Sequence, residues 1–406
     1  MQGRLRAAGA GLLLGALAMG LSGCSTGVTA MADGVARVGT LVSGAPQGSP
    51  HPIQIFVAST RKGPLNNSAD ANPDGTARFS LATISVPPGH ETGIVERPSF
   101  GSENRMRDFV ATSRRGLDDD SFREEIASHI SGRIGSNRDI LLFVHGFNNG
   151  FDEARFRLAQ IAFDGRFGGV PVLFTWASRN SLFAYGSDRE TAAASRDALE
   201  RLMLSLAQVP GVGRVHILAH SMGAWLAMEA LRENAIAGHG DLDGHLGEVM
   251  LASPDIDLNV FRQQIARIGG SAHISVFVAH NDRALSLSSA LANDRPRVGA
   301  LDPTKAEDKA AIEQLGVKVY DTSGESVGFI GHGNYANAPE VIQSIGAQLG
   351  ATRKEDGSTV AVIDSNGGTV PALAPDVAAV QPAVPAVVAT PLAPARAATS
   401  TPAVVP

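Results

Sequence analysis

The stretch RVHILAHSMGAWLAMEAL, residues 214–231, decides how the chain is read. Val215 to Ala219 is a continuous apolar run, the pattern of a strand buried on both faces. From Gly223 the pattern turns helical, so GAWLAMEALRE (223–233) reads as a helix. Ser221 sits on the turn between them, with Ala219 and Gly223 two positions to either side. A serine on a turn that admits only small neighbours is either a plain tight turn or a device for presenting its hydroxyl.

Outward from this turn, apolar, β-rich runs recur at 52–60, 77–86, 139–146, 170–178, 215–221, 248–255, 273–280 and 317–323. Several are unbroken in Val, Ile, Leu and Phe rather than alternating, as strands of a covered parallel sheet are. Between them lie the helical patterns FDEARFRLAQIAFD (151–164) and SDRETAAASRDALERLMLSLAQ (187–208). This alternation predicts an α/β sandwich: a mostly parallel sheet of about eight strands flanked by helices. Ligands bind such sheets beyond the carboxyl ends of the strands, so reactive residues are expected just after strands. The chain has 406 residues, 44% of them hydrophobic, enough for one large domain. We place that folded unit at 51–350 and find no internal repeat. A net charge of −6, a pI near 6.0 and no Lys/Arg run longer than two argue against a nucleic-acid binder.

The two ends read differently. The chain opens MQGRLRAAGAGLLLGALAMGLSGCSTG: two arginines, then an apolar stretch from Ala7 to Leu21 that is short for a membrane span. It closes on Leu21-Ser22-Gly23-Cys24, which resembles the lipobox of bacterial lipoproteins and holds the chain's single cysteine. The resemblance implies a signal peptide over 1–23, cleavage before Cys24 and acylation there. The result would be a protein held by lipid at the bacterial envelope, with Ser25-Thr26 resembling outer-membrane sorting and the domain facing the periplasm. Residues 24–50 are small and Gly-rich, as a tether would be. Residues 351–406 read as a disordered tail: from Pro371 to Pro406 there are eight prolines and two charged residues, Asp376 and Arg396.

The stretch Ala219-His220-Ser221-Met222-Gly223 resembles the nucleophile elbow of the α/β-hydrolases, G-x-S-x-G, with alanine in place of the first glycine. A serine held there meets free N–H groups at a helix start, which favour an anion. The strand at 139–146 runs into His145-Gly146-Phe147-Asn148-Asn149-Gly150, and its His-Gly dipeptide resembles the oxyanion loop of the same superfamily. The resemblance makes the backbone N–H groups of Phe147 and Met222 the oxyanion donors, with His145 in a supporting role.

A general base must be one of eleven histidines. His216 and His273 lie in or beside strands, and His220 adjoins the serine on a sharp turn. His239 and His245, with Asp241 and Asp243, read as a polar surface loop rather than a metal site. His280 precedes the expected acid, and His51, His90 and His129 come early in the chain. His332, on the loop Gly331-His332-Gly333 after the last strand, satisfies the superfamily order Ser…Asp…His. For the acid, Asp282 follows the strand at 273–280 and is preferred; Asp255 and then Asp257, one strand earlier, are its rivals. An aspartate in any of these places also serves as a turn or helix cap.

Taken together, ILLFVHGFNNGFDEA, FTWASRNSLFAYGSDRETAAASRDAL, LAHSMGAW, LASPDID and AHNDRALSLS resemble a bacterial esterase/lipase-like family of α/β-hydrolases of unassigned physiological role. This implies a hydrolase fold and a Ser–Asp–His triad, here Ser221–Asp282–His332, but no established substrate. On such a triad the substrate would be an acyl ester, nothing requires a metal or an organic cofactor, and the oligomeric state is left open. Phe147, Phe151, Trp176, Leu182, Phe183 and Tyr185 are placed to line an acyl pocket or to fill core; Trp225 reads as core. Two alternatives remain: an acyltransferase or peptidase on the same triad, and a non-catalytic envelope scaffold.

Overall fold

The computed structural model describes residues 48–63, 68–72, 74–179, 181–269, 273–291, 294–325 and 334–350. Nine strands form one sheet: β1 (His51–Ser59), β2 (Arg78–Val86), β3 (Val110–Leu117), β4 (Ile140–Val144), β5 (Val170–Thr175), β6 (Val215–His220), β7 (Leu246–Ala252), β8 (His273–Val278) and β9 (Lys318–Asp321). Their spatial order is β3-β2-β1-β5-β4-β6-β7-β8-β9. β2 runs antiparallel to β1 and β3, and every other pairing is parallel. The eight apolar runs are each a strand. The ninth, β3, is VATSRRGL with no buried residue, an edge strand carrying two arginines. Charged side chains on an edge discourage pairing with another chain, and they also hide the strand from a hydrophobicity reading.

Ten helices accompany the sheet among the described residues: α1 (Asp119–Ile130), α2 (Phe151–Asp164), α3 (Tyr185–Ala194), α4 (Arg196–Ala207), α5 (Met222–Ala237), α6 (Leu258–Ile268), α7 (Arg283–Leu291), α8 (Ala306–Leu315), α9 (Asn334–Asn337) and α10 (Pro339–Gly350). The helical pattern at 187–208 is two helices, α3 and α4, rather than one. Ser195 divides them: its hydroxyl donates back to the Thr191 carbonyl (2.8 Å) and meets the Thr60 hydroxyl (2.8 Å) at the end of β1. A serine that bonds its own preceding turn bends a helix, and here a tertiary partner holds the bend.

Successive side chains of a strand point to opposite faces, and the core divides accordingly. Ile140, Leu142 and Val144 join the layer made with α1, α4, α5, α6 and α8. Leu141 and Phe143 join the opposite layer, with α2 and α10. Burying both faces explains why β4, β5, β6 and β7 have no exposed position.

The segment between β2 and β3 closes over α2 and α9. His90 is buried there, with Nδ1 2.9 Å from Glu96 Oε2 and Nε2 2.8 Å from Asp164 Oδ1. Burial alone would lower its pKa; hydrogen bonds to Asp164 and Glu96 outweigh it and hold the imidazolium up to about 9. Gly93, at φ 89°, lies against Asn337, where a Cβ would fall on that residue's carbonyl oxygen.

Candidate active site

All the parallel strands end on one edge of the sheet, and Ser221 stands at its centre, directly after β6. Its backbone is at φ 55° and ψ −122°, a conformation that L residues avoid. Its N–H donates to the Ala252 carbonyl (2.9 Å), and its own carbonyl accepts from Ala224 (3.0 Å) and Asp255 (3.2 Å). The turn is therefore pinned to β7 on one side and to the first turn of α5 on the other. Gly223 permits this: a Cβ there would fall on the His145 carbonyl oxygen and 2.7 Å from that of Val144. Helix α5 thus crosses the end of β4 at backbone contact.

The loop after β4 packs on the same turn. A Cβ on Gly146 would lie 3.0 Å from Ser221 Cβ and 2.8 Å from His220 Nδ1. Phe147, next in the loop, sets its ring edge-on against Tyr185 at the start of α3, with centroids 5.4 Å apart. Met222 is wholly buried at the first position of α5, where the backbone N–H has no intrahelical acceptor.

The two candidate acids have different surroundings. Asp282 is fully buried and precedes α7; its Oδ1 accepts from the N–H groups of Ala284 (2.9 Å) and Leu285 (3.0 Å). It takes part in a further interaction beyond this cap. Asp255 is spent on a buried cluster. Its Oδ2 accepts from Tyr185 (2.7 Å), its Oδ1 from Ser288 (2.6 Å), and Arg297 Nε lies 3.2 Å from Oδ1 as an ion pair without hydrogen-bond alignment. Burial and the Asp255 charge raise the Tyr185 phenol above its usual pKa, so it stays protonated and donates. Asp257 caps α6, accepting from Asn259 and Val260.

With that geometry in place, the match to known proteins is direct. The model of an alpha/beta hydrolase family of unknown function (DUF900) covers residues 118–353, more than half of the chain. The chain belongs to that family. Among curated proteins nothing matches. Among solved structures, an esterase of Pyrobaculum calidifontis, in a monoclinic form, aligns at TM-score 0.34 and 11% identity, over 83% of this chain and 97% of its own. ESTFA, in an FE-lacking apo form, aligns at 0.33 and 11%, over 80% and 93%. At such scores neither likeness bears on the chemistry.

Within this hydrolase fold the remaining sequence candidates fall as follows. His332, Cys24 and the tail lie outside the described residues. His145 is fully buried and neutral: burial, then the nearby Arg61 charge, bring its pKa down to about 3. A ring that stays uncharged at working pH and stacks on Trp176 at 5.3 Å is a support. His216 pairs with Asp139 (3.3 Å) at the opposite edge of the sheet, and His239 pairs with Asp243 (2.7 Å) on the surface. His280 Nδ1 meets the Ser323 hydroxyl at 2.7 Å. Among the described residues no three His, Cys, Asp or Glu stand where they could hold a metal. Trp176 and Phe151 are buried core, Phe147 and Tyr185 are half-buried against each other, and Phe183 is 93% exposed. Trp225 packs on the core under the Arg189 guanidinium, 4.4 Å from its ring.

Arg61 and Thr175 escaped the sequence reading. An arginine just after a strand reads as surface, yet Arg61 is 1% exposed beneath the His-Gly loop. The Tyr185–Asp255–Ser288–Arg297 cluster was equally invisible, since its members are far apart in the chain.

Proposed function

We propose that the protein is a serine hydrolase that cleaves a carboxylic ester through an acyl-enzyme on Ser221. The observation that carries this reading is the backbone of Ser221: a non-glycine residue held at φ 55° on a strand-to-helix turn for which Gly223 and Gly146 make room. Strain of this kind persists where surrounding structure imposes it, and it clusters at working sites. Membership of an alpha/beta hydrolase family supports the same reading.

In the proposed cycle His332 takes the Ser221 proton as Oγ attacks the acyl carbon. The Phe147 and Met222 N–H groups hold the oxyanion; His332 then protonates the departing alcohol. Water, activated in the same way, releases the acid and restores the serine. Asp282 orients His332 and steadies its charge. Asp282 is preferred because Asp255 already satisfies Tyr185, Ser288 and Arg297. The leader and Cys24 add a location to this proposal: a lipid anchor at the bacterial envelope.

A fluorophosphonate probe tests the nucleophile. Wild type should label and Ser221→Ala should not; a wild type that stays unlabelled would favour a non-catalytic scaffold. For the anchor, Cys24→Ala should move the protein from the membrane to the soluble fraction, and continued membrane partitioning would count against lipidation.

A further inference from the structure

Arg61 follows β1 and places its guanidinium under the loop after β4. A guanidinium has five N–H donors and no acceptor. Nε donates to Thr175 Oγ1 (2.7 Å), and Nη1 to the carbonyls of Ser68 (3.2 Å) and Ser178 (3.3 Å). Nη2 donates to the Asn149 carbonyl (2.9 Å) and lies 3.4 Å from His145 Nε2. Among the described residues its partners are hydroxyl, carbonyl and imidazole atoms rather than carboxylates. Burial lowers its pKa to about 10 while the charges of Asp188, Glu153 and Asp152 resist, so it remains a cation at neutral pH.

This arrangement dictates the state of His145. Its Nε2 faces Arg61 Nη2 and the Trp176 backbone N–H (3.3 Å), both of which can only donate. The nitrogen therefore accepts. Thr175, whose oxygen already receives the Arg61 Nε proton, has its own hydroxyl proton to give to His145 Nε2, 3.0 Å away. The one proton of the neutral ring then sits on Nδ1, 2.9 Å from the Gly146 carbonyl oxygen. A trans peptide points its C=O and N–H in opposite directions, and the described chain has no cis peptide. Fixing the Gly146 carbonyl on the ring side turns the Phe147 N–H away from it.

We infer that Arg61, Thr175 and His145 form a relay that locks the Gly146–Phe147 peptide with its N–H toward Ser221, so that Arg61 and Thr175 are positioning residues for the oxyanion hole. This inference rests on the Ser221 hydrolase reading. Gly146 packs on Ser221, so a reversed peptide would offer the serine's substrate a carbonyl oxygen where a donor is needed.

The test uses Arg61→Met, Arg61→Lys and Thr175→Val, the last removing only the hydroxyl at similar volume should Arg61→Met fail to fold. Hydrolysis of an oxoester is compared with that of its thionoester, whose sulfur is a poor hydrogen-bond acceptor. Loss of one oxyanion donor typically costs about 10²–10³ in rate. Arg61→Met and Thr175→Val should lower kcat by about 10²-fold with KM nearly unchanged, and bring the oxoester-to-thionoester ratio toward unity. Arg61→Lys should recover part of both. Nitrogen NMR of wild type should show His145 neutral and protonated on Nδ1 at pH 5. An unchanged ratio in variants that have lost kcat, or a wild-type proton on Nε2, would overturn the relay while leaving the nucleophile intact. Wild-type turnover by Ser221→Ala would instead remove the nucleophile, and the relay's purpose with it, whatever the ring shows.

Discussion

Replacing Ser221 with glycine should make the protein more stable than replacing it with alanine, although both variants lack the nucleophile. At φ 55° and ψ −122° the Cβ of residue 221 crowds its own backbone, and conformations of this class cost on the order of 1–3 kcal/mol. Glycine removes that Cβ; alanine keeps it. Against the gain stands the greater freedom of glycine in the unfolded chain, worth roughly 0.5–1 kcal/mol. The difference should favour Ser221→Gly by about 0.5–2 kcal/mol. In a domain of about 300 residues each kcal/mol moves Tm by about 1.5–2 °C. Urea unfolding and calorimetry of the two variants measure it directly, and neither comparison involves a lost hydroxyl contact, since both substitutions remove Oγ. If Ser221→Gly melts at or below Ser221→Ala, the turn is not strained and the argument from backbone geometry to function fails.

Other substitutions follow from the same neighbourhood. Gly223→Ala must push α5 off the end of β4; overpacking of this kind costs about 1–3 kcal/mol, and displacement near 1 Å costs about 10² in turnover, so a fully active Gly223→Ala in an ester assay would contradict the contact. Asp255→Asn leaves Arg297 buried without its counter-charge and should lose about 3–5 kcal/mol in a denaturant melt. Asp282→Asn keeps an oxygen for the Ala284 and Leu285 N–H groups, so it should fold normally and lose turnover by orders of magnitude; the opposite pattern would exchange the two assignments. The raised pKa of His90 makes its stabilisation complete below about pH 6.5 and lost as pH climbs through about 9. The stability difference between wild type and His90→Asn should shrink across that window, and a flat difference would mean His90 does not titrate there.

The parallel sheet was legible because its strands are buried on both faces and so are written in unbroken apolar residues. β3 was not, because an edge strand with no buried position is written in Arg, Ser and Thr. The Ser221 turn was legible through Gly223, because the small residue is written beside the serine even though the backbone it makes room for belongs to the distant β4. Arg61 could not be read, because its burial is created by Thr175, Ser178 and Asn149, more than 80 positions away. The choice between Asp255 and Asp282 likewise depends on Tyr185, Ser288 and Arg297 converging on one carboxylate. Local sterics and burial periodicity are visible in sequence order; polar networks assembled from distant loops are not.

The place of β1 in the sheet has a practical consequence. β1 lies between β2 and β5, pairing Phe56–Ser59 with Val172–Thr175. The segment that matches the family begins after this hairpin, at residue 118. A chain trimmed to that segment would bare the flank of β5, with its main-chain donors and acceptors unmatched and its apolar faces half uncovered. Such a fragment would tend to zip onto copies of itself. It would also arrive without Arg61, so a soluble remnant would be a poor witness to the catalytic power of the whole.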